Sequence, residues 1–527
     1  MQVLLLLAAA VFLCLHFKNL RADFPNNSPW MDWAKYTDEG WYGDAAIRHF
    51  QIGRWYVPGD FNPAAALPVW PLLEAAVFQF TGVGVAPARA LSVSVFGLTL
   101  VCSFLLLRRW TRRADGSASM APAAAVLLLA VSPFCYAFTR MAILEPLLVL
   151  WTMLALLAAG TVDVNAVSGS RRLWPRLALG VLLPLMVLTK TTALFLFPAV
   201  AWMLWARVGY RWRPLLREAA LPATLAGVLW LSYFGLVVRP HYLSDYRYLF
   251  SANAYTGITA QNFLGVILDT VRDGMWIGSV LFPLAIVLGV VSLLRWRMLL
   301  RNPLTVSLLL WALGYAAFLA YHDNLQPRYY LVIAVPLTLL VPLVLDGIWH
   351  RTQGVPGRAP VVALAGVLLT VAVTDARKTI GFVRAPEYTF ISAAERIRDI
   401  VKADRTHSPL VLSISGSDLS LMTGLPSICD DFGTMELERR VATYHPGWYA
   451  SWNQVDDDKM DALTPMYHLE RVAAFPAMDD PDRNLLILYR LDPPSGPSPR
   501  RGRKRKPTPR LLRTRIGQQP SVEQLEH

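Results

Sequence analysis

Two carboxylates stand side by side in the run Tyr36-Thr37-Asp38-Glu39-Gly40-Trp41-Tyr42-Gly43-Asp44. A carboxylate held beside a hydroxyl can act as a general base, because a hydroxyl is a weak nucleophile until its proton is removed. Three cations occupy short gaps between apolar runs. They are Arg140 in Thr139-Arg140-Met141-Ala142-Ile143-Leu144-Glu145-Pro146, Lys190 in Leu188-Thr189-Lys190-Thr191-Thr192, and Arg328 in Tyr321-His322-Asp323-Asn324-Leu325-Gln326-Pro327-Arg328-Tyr329. Fixed cations of this kind can stabilise charge that gathers on a phosphate leaving group. Each motif also has an ordinary reading. Asp38-Glu39 fits a solvated turn beside Gly40 and Gly43, and 321–329 fits a polar turn. Glu145-Pro146 suits a helix start, and Lys190 suits a lysine snorkelling to an interface.

What positions these groups is a set of apolar runs. Of 527 residues, 54% are hydrophobic and only 17% charged, and the mean hydropathy is +0.38. Soluble domains hold about 25% charged residues; the apolar excess comes in blocks, which excludes a disordered chain and argues against a wholly soluble enzyme. A membrane span needs about 20 mostly apolar residues. Runs of this kind are centred on 1–17, 89–107, 120–138, 146–160, 177–189, 192–206, 218–238, 276–294, 304–320, 329–346 and 360–374. The pattern predicts an α-helical polytopic membrane protein with eleven transmembrane helices.

The charges between the runs alternate. Arg108, Arg109, Arg112 and Arg113 share one loop, and Arg171, Arg172 and Arg176 lie two loops on. Then come Arg207, Arg211, Arg213 and Arg217, then Arg295, Arg297 and Arg301, then Arg351 and Arg358. Basic short loops stay in the cytoplasm. The N-terminus is therefore expected inside, with a retained first helix rather than a cleaved signal peptide, since no small-residue cleavage site follows closely. Residues 18–88, 239–275 and everything after about 375 are expected outside. Asp38, Glu39, Arg140, Glu145, Lys190, His322, Asp323 and Arg328 then share that outer face. The tryptophans and tyrosines of 18–88 fit an interfacial belt.

The chain is expected to divide into a transmembrane part, 1–375, with its first outer loop at 18–88, then a small extracytoplasmic α/β domain, 376–492, and a basic disordered tail, 493–527. Helical spacing marks Ala393–Lys402, and strand patterns mark Pro409–Ile414 and Asn484–Tyr489. Nine Lys/Arg and no acid lie between Arg500 and Arg515, so the tail carries much of the net charge of +13. Nucleic-acid binding is not implied for the body of the chain. Four cysteines, Cys14, Cys102, Cys135 and Cys429, show no metal spacing and no disulfide framework.

These motifs resemble the polytopic glycosyltransferases that use lipid-phosphate sugars, among them the protein O-mannosyltransferases and the aminoarabinose transferases that modify lipid A, which share the GT-C fold. The resemblance rests on Asp38-Glu39-Gly40-Trp41-Tyr42 after the first run, Asn62-Pro63 and Leu67-Pro68 before the second, Arg89-Ala90-Leu91 opening it, Arg140 with Glu145-Pro146, Leu188-Thr189-Lys190, and Gln326-Pro327-Arg328-Tyr329. It covers about residues 1–350. It implies inverting transfer of a sugar from a polyprenyl-phosphate donor to an extracytoplasmic acceptor: a glycan, a lipid or a protein. On this resemblance Asp38 is the base, and Glu39 shapes or shares its site. Arg140, Lys190 and Arg328 are donor-phosphate ligands, and Glu145, His322 and Asp323 are supporting groups. The partners are the lipid-linked donor, the acceptor and membrane lipids. Some relatives hold a divalent metal in this region. His241 and His322 are the imidazoles at hand, but no ligand spacing supports a site, so no metal is expected and a divalent ion stays open. A transporter or flippase of a lipid-linked sugar is the alternative. Transporters place polar groups at mid-membrane between repeats, whereas here the acids fall in outer loops and no repeat is evident.

Overall fold

The computed structural model describes residues 1–111, 118–162, 170–252, 255–295, 302–351 and 354–494. Arg112, Arg113, Arg297, Arg301 and the basic tail from 495 lie outside the described residues.

Each of the eleven apolar runs carries a helix. Among the described residues, six helices are both long and apolar enough to cross a membrane: Val85–Trp110, Leu144–Thr161, Trp212–Ala252, Pro303–His322, Pro327–Trp349 and Arg358–Ala403. The helices Ala121–Val131 and Pro133–Thr139 form a seventh if counted as one span bent by 65°. The bend has a local cause. Pro133 has no N–H to give, and Ser132 turns extended and caps the second piece through Cys135 N. Shorter apolar helices fill the remaining runs at Gln2–His16, Leu173–Thr189, Thr191–Arg207 and Leu281–Leu294. One contiguous apolar core joins them, with Phe96, Leu106, Leu129, Met153, Met203, Trp311 and Leu340 among its buried members.

The segment 18–88 is folded rather than a loose aromatic belt. It holds the helices Asp38–Ile52 and Val69–Thr81 and two short 3-10 turns, Trp33–Lys35 and Pro63–Ala65. Trp30, Tyr36 and Trp70 are buried. The Trp30 ring packs edge-on against Phe134 and Phe138, and its Nε1 donates to Trp276 O at 3.2 Å. Burial inside the protein corrects the interfacial expectation for these three residues.

After the long helix Gly354–Arg384, the chain forms an α/β unit. Its five strands, β1 (Val411–Leu412), β2 (Ser427–Ile428), β3 (Trp448–Trp452), β4 (His468–Pro476) and β5 (Leu485–Asp492), lie in the order β2-β1-β3-β5-β4. The first three are parallel, and β5 runs antiparallel to both β3 and β4. Helix Thr389–Ala403 buries Phe390, Ala393, Ala394, Ile397 and Val401 at i, i+3, i+4 spacing against Trp448 and Trp452 of β3.

This unit is stapled to helix Asp38–Ile52. Trp41, Asp44, Arg48 and Gln51 recur at three- and four-residue intervals, so they share one face. Trp41 Nε1 donates to Ile414 O at 3.1 Å, Ser417 Oγ to Asp44 Oδ1 at 2.9 Å, and Gln51 Nε2 to Ser420 O at 3.2 Å. Arg48 bridges Asp44, at 2.8 Å, and the buried Asp60. Asp60 also accepts from Cys429 N at 3.0 Å and lies 3.3 Å from Arg440 Nη1. Gly40 allows the closest approach: a Cβ there would overlap the backbone of Ser417 and Asp418.

Candidate functional site

Asp38 opens helix Asp38–Ile52 and is 2% exposed. The N-cap, Thr37, makes no side-chain bond to the helix. Its hydroxyl turns to Asp38 Oδ1 at 3.0 Å instead. The other carboxyl oxygen, Oδ2, lies 3.1 Å from Arg328 Nε, yet neither atom reaches hydrogen-bond geometry with any described residue. Oδ2 therefore keeps lone pairs free in a buried setting. Burial pushes the Asp38 carboxyl above its ordinary range. Arg328 opposes this, while Asp32 and Glu145 add to it.

Arg328 is fixed from behind by Asp32, which the sequence motifs did not single out. Asp32 Oδ1 accepts from Arg328 Nη1 at 2.5 Å, and Oδ2 accepts the Arg328 backbone N–H at 2.7 Å. The same carboxyl caps the turn Trp33–Lys35 through Ala34 N at 2.8 Å. The Asp-x-Ala spacing is a recognisable side-chain turn, but nothing local announces its partner 296 residues away.

Lys190 forms a buried ion pair with Glu145. Its Nζ sits 4.1 Å from the centre of the Tyr329 ring, and the Arg328 guanidinium lies 4.5 Å from that same ring. Arg328 Nη2 also donates to the Tyr329 hydroxyl at 3.1 Å. Asp38, Arg328, Tyr329, Lys190 and Glu145 are thus contiguous. Tyr42, one turn along from Asp38, faces the same charges. Glu145 Oε2 makes no hydrogen bond among the described residues.

The structure separates the other expected residues from this group. Glu39 points to the opposite side of the helix start. Its Oε1 accepts from Arg89 Nε at 2.8 Å and Ala142 N at 2.9 Å, and its Oε2 accepts from Arg89 Nη2 at 2.5 Å. It is a latch between the first outer segment, the second span and the 140–143 loop. Arg140 donates to Lys18 O at 2.9 Å and Asn19 O at 2.6 Å, and stacks on Tyr136. It is spent on the end of the first helix and does not join Lys190 and Arg328. His322 packs on Tyr255, with Nδ1 3.2 Å from Tyr255 O. Asp323 caps its helix in the left-handed region at φ 49°, against Gly257. Among the described residues no group of three or more His, Cys, Asp or Glu side chains forms a candidate metal site. A cavity of about 200 Å³ opens between the far end of helix Asp38–Ile52 and the α/β unit, lined by Arg54, Tyr56 and Tyr444 among others; Asp38 does not line it.

No protein-family model and no curated protein matches this sequence. Solved structures do. ArnT from Cupriavidus metallidurans, bound to undecaprenyl phosphate, superposes with a TM-score of 0.60 at 17% identity, over 92% of this chain and 97% of that one. Its apo form gives 0.59 at 16% identity with the same coverage. The archaeal oligosaccharyltransferase AglB from Archaeoglobus fulgidus, in complex with an inhibitory peptide and a dolichol-phosphate, gives 0.51 at 13% identity, over 92% of this chain and 74% of that one. The chain is a polytopic membrane protein with the GT-C fold and a small C-terminal sheet. The match to ArnT covers nearly the whole of both chains.

Proposed function

We propose that this protein is an inverting glycosyltransferase that moves a sugar from a polyprenyl-phosphate donor to an acceptor hydroxyl at the outer membrane face. The observation that carries the reading is the contiguity of Asp38 with two cations, Arg328 and Lys190, on one aromatic ring, within a fold whose solved examples bind lipid phosphates. The side of the membrane rests on the alternation of Arg-rich loops.

In this reading the acceptor oxygen attacks the anomeric carbon while its proton passes to Asp38 Oδ2. The bond from that carbon to the phosphate oxygen breaks, and its electron pair leaves with the polyprenyl phosphate. Arg328 and Lys190 hold the phosphate as its charge grows. The site's own charges set a constraint. Three carboxylates, Asp32, Asp38 and Glu145, face two cations, so the fully ionised group carries −1 before an anionic donor arrives. The donor binds by drawing Lys190 from Glu145 toward the phosphate. Glu145 Oε2, already without a hydrogen bond, then takes up a proton or turns to the sugar. Glu39 and Asp32 hold the frame, and the α/β unit closes the site over Gly40.

The test is a transfer assay on the purified full chain with a panel of polyprenyl-phosphate sugars, reading the release of polyprenyl phosphate. Surface glycans and lipid-linked sugars of a deletion strain identify the sugar and acceptor. Unchanged glycans and no release from any donor would reject the reading.

A further inference from the structure

Asp418 belongs to the short helix Gly416–Thr423 of the α/β unit and is 1% exposed. It reaches the site because Gly40 has no side chain, which brings the Ser417–Asp418 backbone onto the first turn of the Asp38 helix. Its carboxyl faces the Gly40 N–H, in the turn that Thr37 leaves uncapped. Both carboxyl oxygens are buried, and neither reaches hydrogen-bond geometry with a described residue. The charged groups around it are Glu39 and Asp38 on the base helix and Arg89 on the second span. Arg89 is already committed, to both oxygens of Glu39 and to the carbonyls of Leu20 and Ala22. A buried carboxylate without its own counter-ion is costly, so this setting favours the protonated form.

We infer that Asp418 is a positioning residue through which the C-terminal α/β unit acts on the base: a neutral carboxyl that seats this unit on the first turn of the Asp38 helix and unseats it on ionising. The inference rests on the reading of Asp38 as the base. While Asp418 is neutral, its acid group can approach Asp38 and Glu39 without repulsion, and the Gly40 contact stays closed. Loss of the proton places a third negative charge against those two, and the cheapest relief is separation of Gly416–Thr423 from the helix. Burial and the Glu39 and Asp38 charges hold the carboxyl well above its ordinary range, with the Gly40 N–H and Arg89 opposing. A raised native pKa means that the folded state binds more protons than the unfolded one, so stability falls as pH rises through it.

The experiment compares the full-length wild type with Asp418→Asn, whose amide keeps the shape and cannot ionise. Two readouts are taken across pH: transfer rate and thermal unfolding midpoint. The wild-type rate is expected to fall on the alkaline side by about tenfold per pH unit beyond one ionisation, together with its midpoint. The variant is expected to lose that alkaline fall in both. A structural contact alone would shift the midpoint equally at every pH and leave the profile's shape unchanged. An active wild type whose alkaline limb is retained in Asp418→Asn overturns the inference. An inactive wild type would reject the base reading instead, and the midpoint difference would still decide whether Asp418 ionises against the fold. Gly40→Ala, which wedges the two elements apart, is expected to lower the rate at all pH values; wild-type rates there would also overturn it.

Discussion

Arg328 Nε lies 3.1 Å from Asp38 Oδ2 while Asp32 grips the same arginine through Nη1 and its backbone N–H. The guanidinium is therefore held from one side and presented on the other. Its charge opposes the upward push of burial on the Asp38 carboxyl, and Oδ2 is left without a hydrogen bond among the described residues.

Asp38→Asn is expected to fold, insert and bind donor, yet lose about 10²–10⁴-fold in transfer rate. The amide preserves shape and cannot accept the proton. Because burial raises the Asp38 carboxyl, the wild-type rate should climb with pH through a limb above the ordinary carboxylate range. An Asp38→Asn enzyme turning over near the wild-type rate would pass the role to another group such as Glu145 or Asp44.

Glu39 should behave differently, because its oxygens are consumed by Arg89 and Ala142. Glu39→Ala leaves Arg89 buried without its counter-ion and should cost about 3–5 kcal/mol of stability. Glu39→Gln should cost less, and its rate per folded molecule should fall less than that of Asp38→Asn. Thermal unfolding in detergent alongside the transfer assay separates the two.

Arg328→Lys should not rescue function. A lysine cannot hold Asp32 and face Asp38 together, because it lacks the planar fork. Donor binding and rate should both drop, as they should in Lys190→Ala, since the phosphate is charged in the ground state and the transition state alike. Titration with a polyprenyl phosphate, followed by single-turnover rates, reads both effects.

Single-cysteine variants at Lys402 and Arg211, both exposed, test the orientation. An impermeant thiol reagent should label position 402 in intact cells and reach position 211 only after permeabilisation. The reverse pattern would invert the topology and with it the side of the site.

The α/β unit carries its own pH response. Asp430 is buried, accepts from the Tyr449 hydroxyl at 3.0 Å, and is pushed up to about 6, chiefly by burial. Folded Asp430 therefore keeps its proton where the unfolded chain has lost it. The stability it contributes is full below the unfolded pKa and is lost as pH rises through about 6. Asp430→Asn should flatten that loss, on the order of 2–3 kcal/mol, as read from unfolding midpoints between acid and neutral pH.

The helical character of the apolar runs, the α/β unit and the placing of Asp38, Lys190 and Arg328 in gaps between those runs were legible in the sequence, whereas only six helices, or seven with the bent pair, are long and apolar enough to span among the described residues, against the eleven spans expected. Each legible feature depends on local patterns: the length of an apolar run, strand alternation, and a charge that no span can bury cheaply. What the sequence could not provide was which gap meets which. Arg140 and Lys190 look alike as lone cations between runs, yet packing sends one to the Lys18 and Asn19 carbonyls and the other to Glu145 and Tyr329. Asp32 and Asp418 have no local signature of function, and matter only because Arg328 and Gly40 arrive beside them from distant parts of the chain. Helix formation is governed by neighbours a few residues apart, so sequence determines it. A buried charge is governed by whichever partner the close-packed helices carry to it, and only the tertiary structure decides that.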